Sequence, residues 1–340
     1  MSKVLLTGGA GYIGTHTAIE LINAGYEVIV VDNLVNSSEV ALKRVKEITD
    51  QEIPFINADV KNSTAIGKIF KENSISAVIH FAGLKAVGES VKLPLKYYEN
   101  NLISTMILLQ EMEKAGVKKL VFSSSATVYG TPSKMPINES DNIGIGLTNP
   151  YGKTKYMIEE MLMDLAATNA NWQLTSLRYF NPIGAHESGL IGEDPNDIPN
   201  NLMPYISQVA IGKLPHLSVF GNDYPTKDGT GVRDYIHVVD LAKAHVAAIN
   251  TPSTENKYRA LNIGTGIGTS VFELISAFEK ASGVKIPYII SPRRNGDIAA
   301  CYANPHLANT EINWQAEKTI LDACKDSWNW QSKNPTGYNI

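Results

Sequence analysis

Tyr151 and Lys155 stand four residues apart in the segment Pro150-Tyr151-Gly152-Lys153-Thr154-Lys155. Proline in a first turn signals a helix start, and a spacing of four puts both side chains on one helix face. A free phenol titrates near pH ~10 and is a poor base at neutral pH. A nearby ammonium favours the phenolate, which makes the pair a candidate proton acceptor. An isolated Tyr-x-x-x-Lys is common by chance, so its weight comes from its neighbours. Ser125 supplies a third group. It closes Ser123-Ser124-Ser125, directly after the apolar stretch Lys119-Leu120-Val121-Phe122. A hydroxyl at such a strand end can bond both a substrate hydroxyl and the tyrosine.

The elements that must position this trio begin at residue 3. Lys3-Val4-Leu5-Leu6-Thr7 reads as a buried strand and Ile13 to Ala24 as the helix after it, with Gly8, Gly11 and Gly14 in the turn between. Such a turn needs positive φ and lets the backbone approach a pyrophosphate, which sits on free N–H groups at the helix N-terminus. Val28-Ile29-Val30-Val31 is a second buried strand and ends in Asp32, 18 residues past Gly14. A carboxylate at that offset accepts hydrogen bonds from an adenosine ribose, and it favours NAD over NADP because a 2′-phosphate would meet a like charge. The positive nicotinamide ring of NAD would help lower the pKa of Tyr151.

Strands and helices alternate onward. Pro54–Asp59, Ala77–Gly83 and Lys119–Phe122 have the texture of strands, and Tyr97–Ala115 carries a helical apolar period through Leu102, Met106, Leu109 and Met112. Alternation of this kind implies an α/β fold, a Rossmann-type parallel sheet wound on both faces, with ligands at the strands' carboxyl ends. After about residue 180 the chain becomes rich in Pro, Gly and Asn, as in Gly221-Asn222-Asp223-Tyr224-Pro225, which suits a smaller substrate-binding part. Helices are expected again at Asp240–Asn250, Ser270–Ser282 and Ile320–Gln331.

The 340 residues are 44% hydrophobic and 19% charged, as in ordinary globular proteins, and a net charge of −4 argues against a nucleic-acid partner. No apolar run reaches membrane-spanning length, and no signal pattern precedes the first strand. Cys301 and Cys324 cannot make a disulfide framework, and the seven histidines form no metal-type cluster, so a cytoplasmic chain without a metal site is expected.

Ten segments carry a family pattern: Thr7–Gly14 (TGGAGYIG), Val31–Asn33 (VDN), His80–Ser90 (HFAGLKAVGES), Ser123–Gly130 (SSSATVYG), Tyr151–Lys155 (YGKTK), Leu177–Pro182 (LRYFNP), Ile198–Tyr205 (IPNNLMPY), Phe220–Thr226 (FGNDYPT), Asp228–His237 (DGTGVRDYIH) and Pro292–Asp297 (PRRNGD). Through them the chain resembles the extended short-chain dehydrogenase/reductase family, in its branch of UDP-glucose/UDP-galactose 4-epimerases. The resemblance implies a catalytic set of Ser125, Tyr151 and Lys155. It implies NAD contacts from Gly8, Gly11, Tyr12, Ile13, Gly14, Asp32, Asn33, Asn36, Ser37, Asp59, Val60, Phe81, Ala82, Gly83, Lys85, Asn100 and Phe180, besides the catalytic set. It assigns the UDP-sugar to Lys85, Ser125, Tyr151, Asn181, Asn201, Leu202, Phe220, Arg233, Arg294, Asp297 and Cys301. Arginine suits a diphosphate because its planar fork donates two parallel hydrogen bonds.

The implied reaction is redox without net redox: hydride leaves sugar C4 and returns to the opposite face of a rotated 4-keto sugar. That requires a firm grip on the nucleotide and a loose one on the sugar. Residues 1–180 would hold NAD and the catalytic set, and 181–340 the UDP-sugar, with some segments returning to the first part. Relatives pair through two helices, here about Tyr97–Ala115 and Tyr151–Ala167, so a homodimer is expected. At the position of Cys301 the family has either a bulky tyrosine or a small residue. The small form goes with acceptance of 2-acetamido sugars, so UDP-N-acetylglucosamine and UDP-N-acetylgalactosamine become expected substrates.

Three rivals remain. A 4,6-dehydratase needs an extra acid/base pair beside its catalytic serine or threonine, and Ala126 and Thr127 carry no carboxylate. A decarboxylase needs a site for a glucuronate carboxylate, and none is identified. A NAD-sensing regulator has no need to keep Ser125, Tyr151 and Lys155 together. Interconversion of UDP-galactose and UDP-glucose without added reductant separates these readings.

Overall fold

The computed structural model describes residues 2–168, 171–195, 199, 201–251, 257–294 and 296–339. Ile198 and Asn200 of the Ile198–Tyr205 motif, and Asn295 of Pro292–Asp297, lie outside the described residues. The first strands are β1 (Lys3–Thr7), β2 (Glu27–Asp32), β3 (Phe55–Asn57), β4 (Ile75–His80), β5 (Lys119–Ser125) and β6 (Gln173–Tyr179). Then follow β7 (Asn181–Ile183), β8 (Leu217–Phe220), β9 (Val232–His237), β10 (Tyr258–Ile263), β11 (Gly268–Ser270), β12 (Tyr288–Ser291) and β13 (Ala300–Cys301).

Seven of these form one parallel sheet in the order β10-β6-β5-β4-β1-β2-β3. Its central strands read as unbroken apolar runs because helices cover both faces. Alternate side chains then enter different cores. Val4, Leu6, Val28 and Val30 join one cluster, and Leu5, Ile29 and Val31 the other. Burying each such side chain contributes about 1.5–3 kcal/mol, and a slip of one residue in register would swap the two sets. The chain order reverses between β1 and β4, so their carboxyl ends open a crevice there.

The later strands build smaller units. β9 pairs with β7, β11 and β13, while β8 pairs with β12. A third core, with Ile206, Leu217, Leu274 and Phe278 among its members, lies beneath them. Two later elements return to the first sheet. β10 pairs with β6 from Tyr258↔Leu174 to Ile263↔Tyr179, and helix Val238–Asn250 shares the first core with helix Tyr12–Asn23.

The helix expected over Tyr97–Ala115 is broken into three pieces. Pro94–Tyr98 and Ser104–Lys114 are α-helical, and Glu99–Ile103 between them is a π-type turn. The wide turn aims Asn101 inward, where it is 2% exposed. Its Oδ1 accepts from Leu84 N at 2.8 Å, and its Nδ2 donates to Leu84 O at 3.1 Å and Thr154 Oγ1 at 3.0 Å. Asn101 thus ties the loop after β4 to the helix that carries Tyr151.

Candidate active site

At the end of β1 the backbone itself shapes the crevice. Gly8 has φ +68°, and a Cβ there would lie 2.6 Å from Ala82 N. At Gly14 a Cβ would lie 2.6 Å from Gly9 Cα, so helix Tyr12–Asn23 can approach the turn only with glycine at that position. Gly11 begins that helix, and no side chain caps it. Tyr12 and Ile13 follow in its first turn, and the Tyr12 hydroxyl donates to Gly184 O at 2.7 Å. A tight cradle with uncapped N–H groups fits the pyrophosphate of a dinucleotide.

Asp32 is 7% exposed at the end of β2. Its Oδ2 accepts from Ala10 N at 3.1 Å, and its Oδ1 from Leu34 N at 2.9 Å and Ser37 Oγ at 2.8 Å. The carboxylate therefore shapes the loop as well as offering lone pairs to a ribose. Asn33 Nδ2 reaches Asp59 Oδ2 at 3.4 Å, Val60 is buried beside Asp59, and Asn36 is exposed on the same loop as Ser37. After β4, Phe81 N and Ala82 N both donate to Thr7 O, and Gly83 lies against Asn101. Asn100 Nδ2 donates to Asn101 Oδ1 at 3.1 Å.

Helix Pro150–Thr168 carries the candidate base. Asn149 Oδ1 accepts from Gly152 N at 2.8 Å, and Gly152 packs on Thr127, which brings the helix start against the end of β5. Lys155 is 6% exposed; its Nζ donates to Ser123 O at 2.6 Å and Ser123 Oγ at 3.3 Å. The same Nζ lies 5.8 Å from the Tyr151 ring centroid. Ser125 Oγ accepts from Thr127 N at 3.2 Å, and its hydroxyl acts on the Tyr151 phenol to hold its pKa down. Ser125, Tyr151 and Lys155 are thus brought together at the carboxyl end of β5.

Burial is the largest influence on both titrating groups. It raises the Tyr151 phenol above its ordinary value, against the opposing influence of the Ser125 hydroxyl. It lowers Lys155 to about 7, against the pull of Glu159. Glu159, one turn beyond Lys155, is fully buried and paired with Arg178, whose NH2 donates to Oε2 at 2.7 Å. It also accepts from Ser124 Oγ and from Tyr258 of β10, which anchors the helix to three strands.

Facing this end of the sheet, Phe180 is buried with Val128, Tyr129 and Ala303, and Cys301 packs on the same cluster. Asn181 opens β7, and Cys301 is in register with Arg233 across β13 and β9. Burial pushes the Cys301 thiol up to about 11, so it behaves as a small apolar group. Arg233 NH1 donates to Val232 O and Ile298 O, both at 2.9 Å. Asp297 joins the two arginines, at 2.9 Å from Arg294 Nε and 4.0 Å from Arg233 NH2. Arg294 also lies over the Phe220 ring at 4.8 Å, and Arg293 over Tyr224 at 4.0 Å. Leu202 begins helix Leu202–Ala210, with Asn201 before it.

Sequence reasoning missed several residues. Glu193 accepts from Lys85 at 3.3 Å and from Asn201 at 3.1 Å, joining the two halves of the site. Nothing near Glu193 in the chain marks it among loop carboxylates. Asn101 could have been suspected only from its place beside Asn100. Among the described residues, no group of three or more His, Cys, Asp or Glu side chains could hold a metal ion, and no helix is long and apolar enough to cross a membrane.

Comparison with known proteins agrees with this geometry. The UDP-glucose 4-epimerase of Bacillus subtilis is 60% identical over 335 residues, covering 98% of each chain. A crystal structure of the Bifidobacterium longum UDP-glucose 4-epimerase in complex with NAD+ and UDP has a TM-score of 0.96 at 56% identity, covering 99% of this chain and 100% of that one. The UDP-Glc/GlcNAc 4-epimerase of Campylobacter jejuni matches with a TM-score of 0.85 at 35% identity, covering 98% of this chain and 100% of that one. The model of the NAD dependent epimerase/dehydratase family matches residues 4–264. A match of that span makes the chain a member of this family.

Proposed function

We propose that the protein is a UDP-glucose 4-epimerase, an isomerase that interconverts UDP-glucose and UDP-galactose with retained NAD. The observation that carries this is the half-buried Tyr151, placed with Ser125 and the buried Lys155 at the strand ends beside the Gly8 turn. Gly8, Gly11, Tyr12, Ile13, Gly14 and Asp32 hold the dinucleotide, with Asn33, Asn36, Ser37, Asp59, Val60, Phe81, Ala82, Gly83, Lys85, Asn100 and Phe180 lining its path. When bound, NAD takes a hydride from sugar C4 and gives it back.

Tyr151 accepts the proton of the sugar 4-hydroxyl, and Ser125 orients that hydroxyl. Lys155 stabilises the phenolate that receives the proton. Tyr151 then reprotonates the C4 oxygen after the 4-keto sugar has turned its other face. Arg233 and Arg294 hold the diphosphate, while Phe220, Asp297, Asn181, Asn201 and Leu202 hold the rest of the UDP-sugar. The nucleotide end is dense in charged donors, and the sugar end is bordered by the small Cys301. That contrast suits a substrate that stays bound while its sugar rotates. Purified protein should convert UDP-galactose to UDP-glucose with no added reductant, followed by ion-exchange separation of products. Absence of turnover would overturn the proposal.

Four finer readings accompany it. With the small Cys301 where a tyrosine would fill the pocket, the sugar site would take a 2-acetamido group as well, and the Campylobacter jejuni neighbour is named for UDP-Glc and GlcNAc. Residues 1–180 serve NAD and catalysis, and 181–340 the UDP-sugar, with β10 returned to the first sheet. The protein pairs as a homodimer through the segments Tyr97–Ala115 and Tyr151–Ala167, where Ile103, Met106 and Met157 expose apolar side chains. It works in the cytoplasm, consistent with two unpaired cysteines.

A further inference from the structure

Behind Lys155 runs a chain of buried polar groups that the proposed chemistry does not use. His245 lies on helix Val238–Asn250, fully buried, with its ring centroid 4.9 Å from that of Phe81. Its Nδ1 faces Leu241 O at 2.8 Å, and its Nε2 meets the Tyr179 hydroxyl. Tyr179 stands on β6 opposite Ser125 of β5, one same-face position from Ser123, whose hydroxyl acts on the phenol to hold its pKa down, and Ser123 Oγ lies 3.3 Å from Lys155 Nζ.

Both ends of this chain fix its direction. A carbonyl only accepts, so His245 carries its proton on Nδ1 and leaves Nε2 bare. The Tyr179 proton must then point at Nε2. With its own proton spent on His245, the Tyr179 oxygen can only accept, so the Ser123 proton is the one that can bridge the two hydroxyls, in the sense that holds the Tyr179 phenol down. What Ser123 Oγ offers Lys155 is a lone pair, and an ammonium only donates. Each group polarises the next in the same sense.

We propose that Tyr179 and His245 are positioning residues for Lys155, acting through Ser123 to commit two of its three N–H groups and aim the third. The proposal rests on the epimerase reading for its consequence, but not for its geometry. Around Lys155 stand Tyr151 and Glu159 on its own helix, His80 from β4 and Tyr179 from β6. Glu159 is paired with Arg178 at 2.7 Å. Burial lowers His80 to about 3 and His245 to about 4, so both stay neutral where Tyr151 and Lys155 titrate.

Two measurements test this. In the histidine 15N spectrum of the holoenzyme, His245 should be the Nδ1–H tautomer; an Nε2–H signal for His245 would overturn the proposal whatever the activity. Tyr179→Phe, which removes only the hydroxyl, should lower kcat roughly tenfold, about the size of one buried hydrogen bond. The rising limb of its kcat–pH profile should move to higher pH, with KM for UDP-galactose within about twofold of wild type. His245→Gln, which keeps an acceptor near the Nε2 position, should retain most activity, and His245→Leu should resemble Tyr179→Phe. Wild-type kcat and pH profile in Tyr179→Phe would overturn the relay, as would a loss confined to KM or to NAD content. If His245→Leu fails to fold, Tyr179→Phe decides alone. An inactive wild type would instead overturn the epimerase reading, with the tautomer still deciding the relay.

Discussion

At the Gly8 turn the molecule leaves no room: a Cβ would lie 2.6 Å from Ala82 N, and the donors are backbone N–H groups. Around Arg233 the opposite holds. Side chains from β8, β9, β13 and two loops meet, and Asp297 shares its oxygens between Arg233 and Arg294. The first region recognises its ligand through fixed backbone that few sequences can build. The second uses long side chains on short strands, which can shift as a substrate turns. A rigid cradle should fail abruptly when altered, and an assembly of side chains should fail by increments.

Tyr151→Phe probes the point where both regions meet and carries the largest expected effect. Loss of a positioned proton-transfer group costs about 10²–10⁴-fold in rate, and kcat should fall by that much with UDP affinity little changed. Near-normal turnover would remove Tyr151 from the mechanism. On the cradle side, Asp32→Ala loses the partner of Ala10 N, Leu34 N and Ser37 Oγ together. The denatured wild type should release NAD and not NADP, and the variant should release almost none. Full NAD content in Asp32→Ala would contradict an abrupt failure.

On the side-chain region, Arg294→Leu should weaken UDP binding by about 1.5 kcal/mol, roughly tenfold in Kd, because the residue is half exposed. Calorimetry would read this, with NAD content unchanged. An unaltered Kd would leave Arg294 as a surface partner of Asp297. Cys301→Tyr should be the most selective change. A phenol would overlap an acetamido group at a cost of about 1–3 kcal/mol, suppressing UDP-N-acetylgalactosamine turnover while largely sparing UDP-galactose. Wild type that converts only UDP-galactose would end the wider range proposed for this pocket.

The same division decided what could be read from residues alone. The strand, glycine turn, helix and Asp32 are contiguous, so spacing located them. Tyr151 and Lys155 share a helix face and were visible for the same reason. Glu193, by contrast, meets Lys85 across 108 residues and was invisible. Tyr179 and His245 are 66 apart and each looks like ordinary core. The π-type turn at Glu99–Ile103 went unseen because one widened turn barely disturbs the apolar period on either side. The rise that burial imposes on the Tyr151 phenol was not legible either, since desolvation depends on neighbours that the local segment does not name.

The return of β10 to the first sheet bears on how the protein unfolds. Six registered positions tie β10 to β6, and Tyr258 and Asn262 on β10 join the buried Glu159–Arg178 network through Glu159 and Tyr129. A cut after residue 180 would expose β6 as a raw edge and strip those partners away. The two halves therefore cannot melt separately, and the β6 amides should exchange only through global opening. Any ligand that binds the folded cradle then stabilises the distant loop cluster by the same free energy, through mass action rather than contact.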